Sequence, residues 1–387
     1  MNRPNIISVS WGDHLVFGEG DGKLNTPESL GRRMNYWKKE LNSSIILWRE
    51  GKTGSRGHFF SARGYKFNYP KNNIHWDDFE IVPQIAHEQG FKSYLYVSLF
   101  DEGWPLPPKK IRHVSYHNSM HRQHTSWQSK FSCKHPEYTI INRTGDIKQW
   151  GVLSLAYPKV RSHFCKRYLR LLSDYDFDGL FICFRSQSKP AEFADQFGFN
   201  EPIRRDYFDR YGRDILKEEF NIQNWRDLLG EYITLFFSEL QDKLKVKGVK
   251  LAVGIPRGDI IGPPLGNWTL QWRKWISNNL IDSLIIDQSS TQCPSIWHQL
   301  WPMHKGYGYY QNYQDNYSML DLIEDLDKSY TNNILGSSTN LYIARQWKLR
   351  NSNKEEELCN HPAVHGLVFS SFRFDNPEVI KRGDWKV

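Results

Sequence analysis

The sequence predicts an α/β fold, a (β/α)8 TIM barrel with long loops after its strands, on three observations. Apolar runs of strand length recur along the chain, segments of helical periodicity separate them, and many of the runs end in Arg, Asp or Glu. Alternating strands and helices build parallel β/α units, and in a barrel of such units the chemistry sits at the carboxyl ends of the strands. No Gly/Ser-rich or Pro-rich linker interrupts the 387 residues, of which 39% are hydrophobic, so residues 1–387 are expected to form one large domain.

The strand candidates, in order, are IISVSW (6–11), SIILWRE (44–50), KSYLYVSLF (92–100), DGLFICFR (178–185), KLAVGIP (250–256), DSLIIDQS (282–289), GYGYYQNY (306–313) and HGLVFSSFRF (365–374). NLYIARQW (340–347) reads equally well as a strand, so the seventh position is contested between 306–313 and 340–347. Leu30, Met34, Trp37 and Leu41 recur at helical spacing behind Thr26-Pro27-Glu28, an N-cap followed by proline at the first helical position. Val160, Phe164 and Leu171 form a second stripe after Tyr157-Pro158, and Ile233, Phe237, Leu240 and Leu244 a third. The stretch 103–156 after the third strand is too long for a plain loop and is expected to carry structure of its own.

Composition narrows the partners. Lys and Arg give a formal net charge of +8, a field that favours polyanions. Fifteen Trp and 20 Tyr supply flat rings for packing on sugars, whereas no RNP-type sequence, finger motif or dense basic run points to nucleic acid. No apolar run reaches membrane-spanning length, and the amino terminus lacks the pattern of a signal peptide. A secreted or periplasmic setting in a bacterium, with an export signal trimmed, is the expected one, with a cytoplasmic setting as the alternative. Cys133, Cys165, Cys183, Cys293 and Cys359 are scattered, with no C-x-x-C pair, which argues against a disulfide framework or a structural zinc. Nucleotide-binding glycine loops and the G-x-S-x-G elbow are missing, so neither a cofactor nor a metal is expected.

The strand ends supply the candidate site. Trp11 and Asp13, Trp48-Arg49-Glu50, Asp101-Glu102, Arg185, Arg257 with Asp259, Asp287, Gln311, and Arg373 with Asp375 all fall there, and Arg345 joins them if 340–347 enters the barrel. Several arginines around one mouth suit a sulfate or carboxylate, because a guanidinium forks onto two oxygens. Glycoside cleavage needs two carboxyl groups, and Glu102 and Asp287 are the first choice, with Asp101 beside them. Trp11, Trp48, Trp104 and Trp150 are expected to stack sugar rings, with Gln187 and Gln311 binding hydroxyls. His113, His117, His121 and His124 crowd one segment, where His117 is expected to touch substrate.

HPEYTIINRTGDIKQWGVLSLAYPKVRSH, followed by YDFDGLFICFRSQSKPAEFADQFGFNEPIRRDYFDRYGRDI, resembles a group of bacterial barrel proteins known as family-10-like glycosyl hydrolases. The resemblance covers 135–215 and implies a (β/α)8 fold acting on carbohydrate, with Arg185, Ser186, Gln187, Ser188, Asp195, Gln196 and Asn200 as motif residues of unassigned role. Related barrels often end strand four in an acid, where this chain has Cys183 and Arg185. Asn200-Glu201-Pro202 matches the proton-donor tripeptide of retaining barrel glycosidases, but it falls well past the strand end, which leaves Glu201 and Glu192 as reserve acids. The expectation is an endo-acting hydrolase of an anionic polysaccharide, a sulfated galactan of the carrageenan or agar type or a uronic-acid polymer. A lyase acting on a uronate polymer and a glycan-binding barrel without catalysis are the alternatives.

Overall fold

The computed structural model describes residues 3–9, 24, 26–50, 59–61, 76–103, 127–184, 186, 193, 195–262, 265–286, 321–345 and 352–371. Eight parallel strands close into a barrel: β1 (Asn5–Val9), β2 (Ser43–Arg49), β3 (Lys92–Ser98), β4 (Gly179–Cys183), β5 (Lys250–Gly254), β6 (Ser283–Ile286), β7 (Asn340–Ala344) and β8 (Val364–Ser370). Each strand pairs with its neighbours in sequence, and β8 returns to β1 with Ile6 opposite Val368. The chain is therefore a (β/α)8 barrel. Residues 340–344 form the seventh strand, between β6 and β8. The rival run 306–313, with Gln311, lies outside the described residues.

Helices pack on the outside. α1 (Pro27–Leu41) starts as expected, with Thr26 accepting the Ser29 N–H and the Ser29 hydroxyl answering the Thr26 N–H. Such reciprocal capping satisfies donors that the first helical turn otherwise leaves unpaired. α2 (Asp78–Glu88), α3 (Pro158–Asp174), α4 (Glu201–Tyr211), α5 (Ile222–Lys247), α6 (Trp272–Ser277) and α7 (Ser352–Asn360) follow. The two later stripes read from the sequence lie on α3 and α5, and all their members are buried. After β3 the chain forms an antiparallel hairpin, Thr139–Ile141 with Lys148–Leu153, and a short strand Trp127–Ser129 that pairs antiparallel with Phe59–Ser61 from the loop after β2, which supplies structure expected within 103–156.

The barrel interior is filled by alternate strand residues: Ile6, Leu47, Tyr94, Tyr96, Phe181, Cys183, Ala252, Ile285, Tyr342, Ala344 and Val368. Large and small residues interlock across neighbouring strands. Tyr94 lies opposite Gly179 and Tyr342 opposite Gly366, and a Cβ at Gly179 would sit 2.6 Å from the Tyr94 ring. Burial raises the Tyr94 hydroxyl to about 12 and pushes that of Tyr342 higher still, so both stay neutral fillers. With the centre plugged, polar chemistry is confined to the strand ends.

Arg204 of α4 forks onto Asp214, just past the helix, through Nε at 2.8 Å and Nη2 at 2.7 Å. This hydrogen-bonded pair lowers the Asp214 carboxyl from 3.8 to about 2. A depressed carboxyl stabilises the fold above its unfolded value and loses that contribution as pH falls through the folded one. Urea midpoints of the native chain should therefore fall between about pH 4 and pH 2 more steeply than those of Asp214→Asn. Parallel curves would remove this pair from the acid response.

Candidate active site

Alternation along β2 decides which of its polar residues reach the interior. Ile45 and Leu47 face inward, so Arg49 does too, while Ile46, Trp48 and Glu50 face the helices. The Arg49 guanidinium lies 5.2 Å from the Tyr96 ring centroid, on top of the aromatic plug. Its Nη2 donates to Ser98 Oγ and to Asp101 Oδ2, both at 3.0 Å. Arg49 is 6% exposed and Asp101 fully buried. A charge pair removed from water is worth its desolvation only with good geometry and further hydrogen bonds, which Ser98 helps to provide.

The turn that carries Asp101 is held from several sides. Leu99 N–H donates to Cys183 O at 3.0 Å, and Ser186 Oγ donates to Phe100 O at 2.6 Å. Glu102 N–H donates to Gly151 O at 2.9 Å, and Glu102 O accepts from Ser129 N–H at 2.8 Å. The Phe100 ring meets Phe184 and Trp268 edge-on, at 5.4 and 5.8 Å. Asp101 thus stands on a clamped backbone, as a reacting group must.

Other expected site residues fall elsewhere. Trp48 is wholly buried, and its Nε1 donates to Asp78 Oδ2 at 2.7 Å, so its role as a sugar platform is corrected: the indole packs between barrel and helices. Trp48→Phe should cost about 1–2 kcal/mol of stability through the lost hydrogen bond and leave KM unchanged, as seen in melting curves and substrate titrations. A raised KM would return Trp48 to the substrate. Glu50 and Glu102 are both buried; Arg167 of α3 bonds Glu50, and the charge of Glu102 also acts on it. That placement corrects both: Glu50 meets a helix rather than substrate, and Glu102 does not share the Asp101 position. Glu201 is also corrected, since its side chain is 67% exposed at the start of α4, beside Arg204.

Arg257 pairs with buried Asp325 at 3.4 Å, and the next N–H, of Gly258, donates to Tyr330 Oη. Asp259 accepts from Trp272 Nε1 and Arg273. Arg345 is buried at the end of β7, and its Nε has no hydrogen-bond partner among the described residues. Trp150 is half-buried, with the Lys148 ammonium 5.5 Å from its ring. Trp11, His117, Arg185, Gln187, Asp287 and Arg373 lie outside the described residues. No group of three or more metal-ligand side chains occurs among the described residues, and no described helix is long and apolar enough to cross a membrane.

The motif residues of 186–200 act as anchors where they are described. Asp195 accepts from Arg226 of α5 and from Asn267 Nδ2, Asn200 Nδ2 donates to Thr139 O at 3.0 Å, and Trp225 Nε1 donates to Gly198 O at 3.0 Å. Sequence reading missed Ser98, Arg167, Trp225 and Arg226. Only Ser98 carried a signal, its even spacing from Tyr94 and Tyr96 in one strand run.

No protein-family model and no curated protein matches the chain, so membership of the family-10-like group is not shown. Solved barrels align with it along nearly its whole length. An α-galactosidase from Lactobacillus brevis is 14% identical with a TM-score of 0.43, the alignment covering 99% of this chain and 39% of that one. A GH36 α-galactosidase from Geobacillus stearothermophilus is 10% identical with a TM-score of 0.46, covering 99% and 40%. A maltogenic α-amylase from Thermotoga neapolitana is 9% identical with a TM-score of 0.44, covering 100% and 77%. The chain spans about two fifths of the length of those α-galactosidases. At such identities and scores the likeness concerns the barrel fold alone.

Proposed function

We propose that this chain hydrolyses glycosidic bonds inside an anionic polysaccharide, a sulfated galactan or a uronic-acid polymer, at the carboxyl-terminal mouth of its barrel. The observation that carries the reading is the buried Arg49–Asp101 pair above the aromatic plug, braced by Ser98. A carboxylate at a fixed position suits attack on the anomeric carbon or activation of a water, and a second carboxyl group must protonate the leaving oxygen. We assign Asp101 to the first role in place of Glu102 and Asp287 to the second. In sequence Asp287 stands two positions past Ile285, an inward-facing residue of β6. Arg185 stands two positions past inward-facing Cys183 and would fork onto the sulfate or carboxylate of the polymer, whereas Arg345 directly follows inward-facing Ala344 and continues the helix-facing positions of β7. Half-buried Trp150 offers a ring face to a sugar. A polymer of this kind is met outside the cell, so the reading includes a secreted or periplasmic site of action.

The test is product formation on a panel of neutral and anionic polysaccharides, with reducing ends and ultraviolet absorbance followed on the same samples. New reducing ends without absorbance, confined to anionic polymers, support the hydrolase. Absorbance from an unsaturated product moves the assignment to a lyase. Cleavage of neutral glycans alone overturns the role given to the arginines, and binding without cleavage leaves a glycan-binding barrel.

A further inference from the structure

Arg49 and Asp101 belong to different segments, the end of β2 and the turn after β3, and the two must hold one geometry if they act together. A single guanidinium stands behind both. Arg167 of α3 is 7% exposed and hydrogen-bonds Glu50 through Nη2, while Glu102 brings a second carboxylate to the same charge. Glu50 and Glu102 are 3% and 0% exposed. Each directly follows in sequence one member of the interior pair: Glu50 follows Arg49, and Glu102 follows Asp101. The same two backbone segments therefore show Arg49 and Asp101 to one another, while behind them Glu50 bonds α3 and the buried Glu102 acts on the same guanidinium through its charge.

We infer that Arg167 is a positioning residue, which sets the separation of Arg49 and Asp101 by holding Glu50 and Glu102 from behind the barrel wall. The inference rests on the reading of Arg49 and Asp101 as the reactive pair. Its physical basis is the cost of two carboxylates in a dry layer. With one guanidinium bonded to Glu50 and offsetting the charge of Glu102, both segments are drawn toward α3; without it two buried carboxylates lose their countercharge and seek water. The neighbouring groups fit this role. The main chain of Glu102 is already bonded at Gly151 and Ser129, and the Tyr168 ring lies 5.5 Å from the Arg167 guanidinium. Burial opposes the charge on Arg167, and Glu50 followed by Glu102 more than offsets it, so the guanidinium stays charged.

The experiment compares the native chain with Arg167→Lys, which keeps the charge but loses the fork, and with the triple variant Arg167→Met/Glu50→Gln/Glu102→Gln, which removes all three charges. Amide hydrogen exchange over residues 47–51 and 98–103 needs no substrate and reports the two segments directly. In both variants exchange should quicken in the two segments together, ahead of the rest of the barrel. On the polymer the native chain cleaves, kcat should fall by about 10- to 100-fold, with KM changed less than about threefold, because displacing a reacting group by about 1 Å is costly in rate. Unchanged exchange at both segments, or an unchanged kcat beside a lowered melting temperature, overturns the inference and leaves Arg167 a packing residue. If the native chain cleaves nothing on the panel, the hydrolase reading fails by itself. The exchange result still decides Arg167: quickened exchange at both segments upholds the coupling, and unchanged exchange refutes it.

Discussion

Asp101→Asn is expected to lower kcat on the cleaved polymer by roughly 10³-fold or more, equivalent to about 4 kcal/mol of barrier. Asparagine keeps the shape of aspartate but carries no charge to develop a bond at the anomeric carbon or to take a proton from water. The substitution also leaves the Arg49 cation, 6% exposed, without its Asp101 partner. Breaking a buried pair from one side costs about 3–5 kcal/mol of stability, so a fall in melting temperature should accompany the loss of rate. Arg49→Met/Asp101→Asn separates the two effects, because removing both charges should recover much of the stability and none of the activity. A single variant that keeps kcat within tenfold of native would sink Asp101 as a reacting group.

Trp225→Ala is expected to produce the largest loss of stability. The indole is wholly buried and stacks on Phe199 at 4.9 Å, and its Nε1 donates to Gly198 O. Gly198 has φ +124°, and a Cβ there would lie 2.9 Å from the Trp225 ring, so backbone and ring are fitted to each other. Truncating a large buried side chain costs about 3–5 kcal/mol, and the abandoned carbonyl adds to it. For a chain of this length the melting temperature should drop on the order of 5 °C. Thermal unfolding followed by circular dichroism measures this directly. A shift under about 1 °C would mean that the segment 195–199 is not anchored through α5.

The barrel was legible because its signals are local. Strand-length apolar runs, the Thr26-Pro27 start of α1 and the stripes of α3 and α5 depend on residues a few positions apart, and among the described residues the structure reproduces them with strand ends shifted by up to four residues. The site was legible only as a set of candidates. In a parallel barrel both faces of a strand are apolar, so the alternation of β2 marks Arg49 apart from Trp48 and Glu50 without telling which face is inside. That is why Trp48 read as a platform although it packs under α2, and why Asp101 and Glu102 read as equivalent acids. Arg167 had no signal, since its partner Glu50 is 117 positions away and an arginine within a helix ordinarily faces solvent.

By itself the sequence determined the succession of strands and helices, the closing count of eight and the crowding of charge at strand ends, since periodicity and capping act over a few residues. Tertiary structure alone decided that residues 340–344 form the seventh strand, because only pairing with β6 and β8 selects among apolar runs. It also decided that Arg49 and Asp101 meet inside while Glu50 meets Arg167 outside, because the inner face of a strand exists only once the barrel has closed.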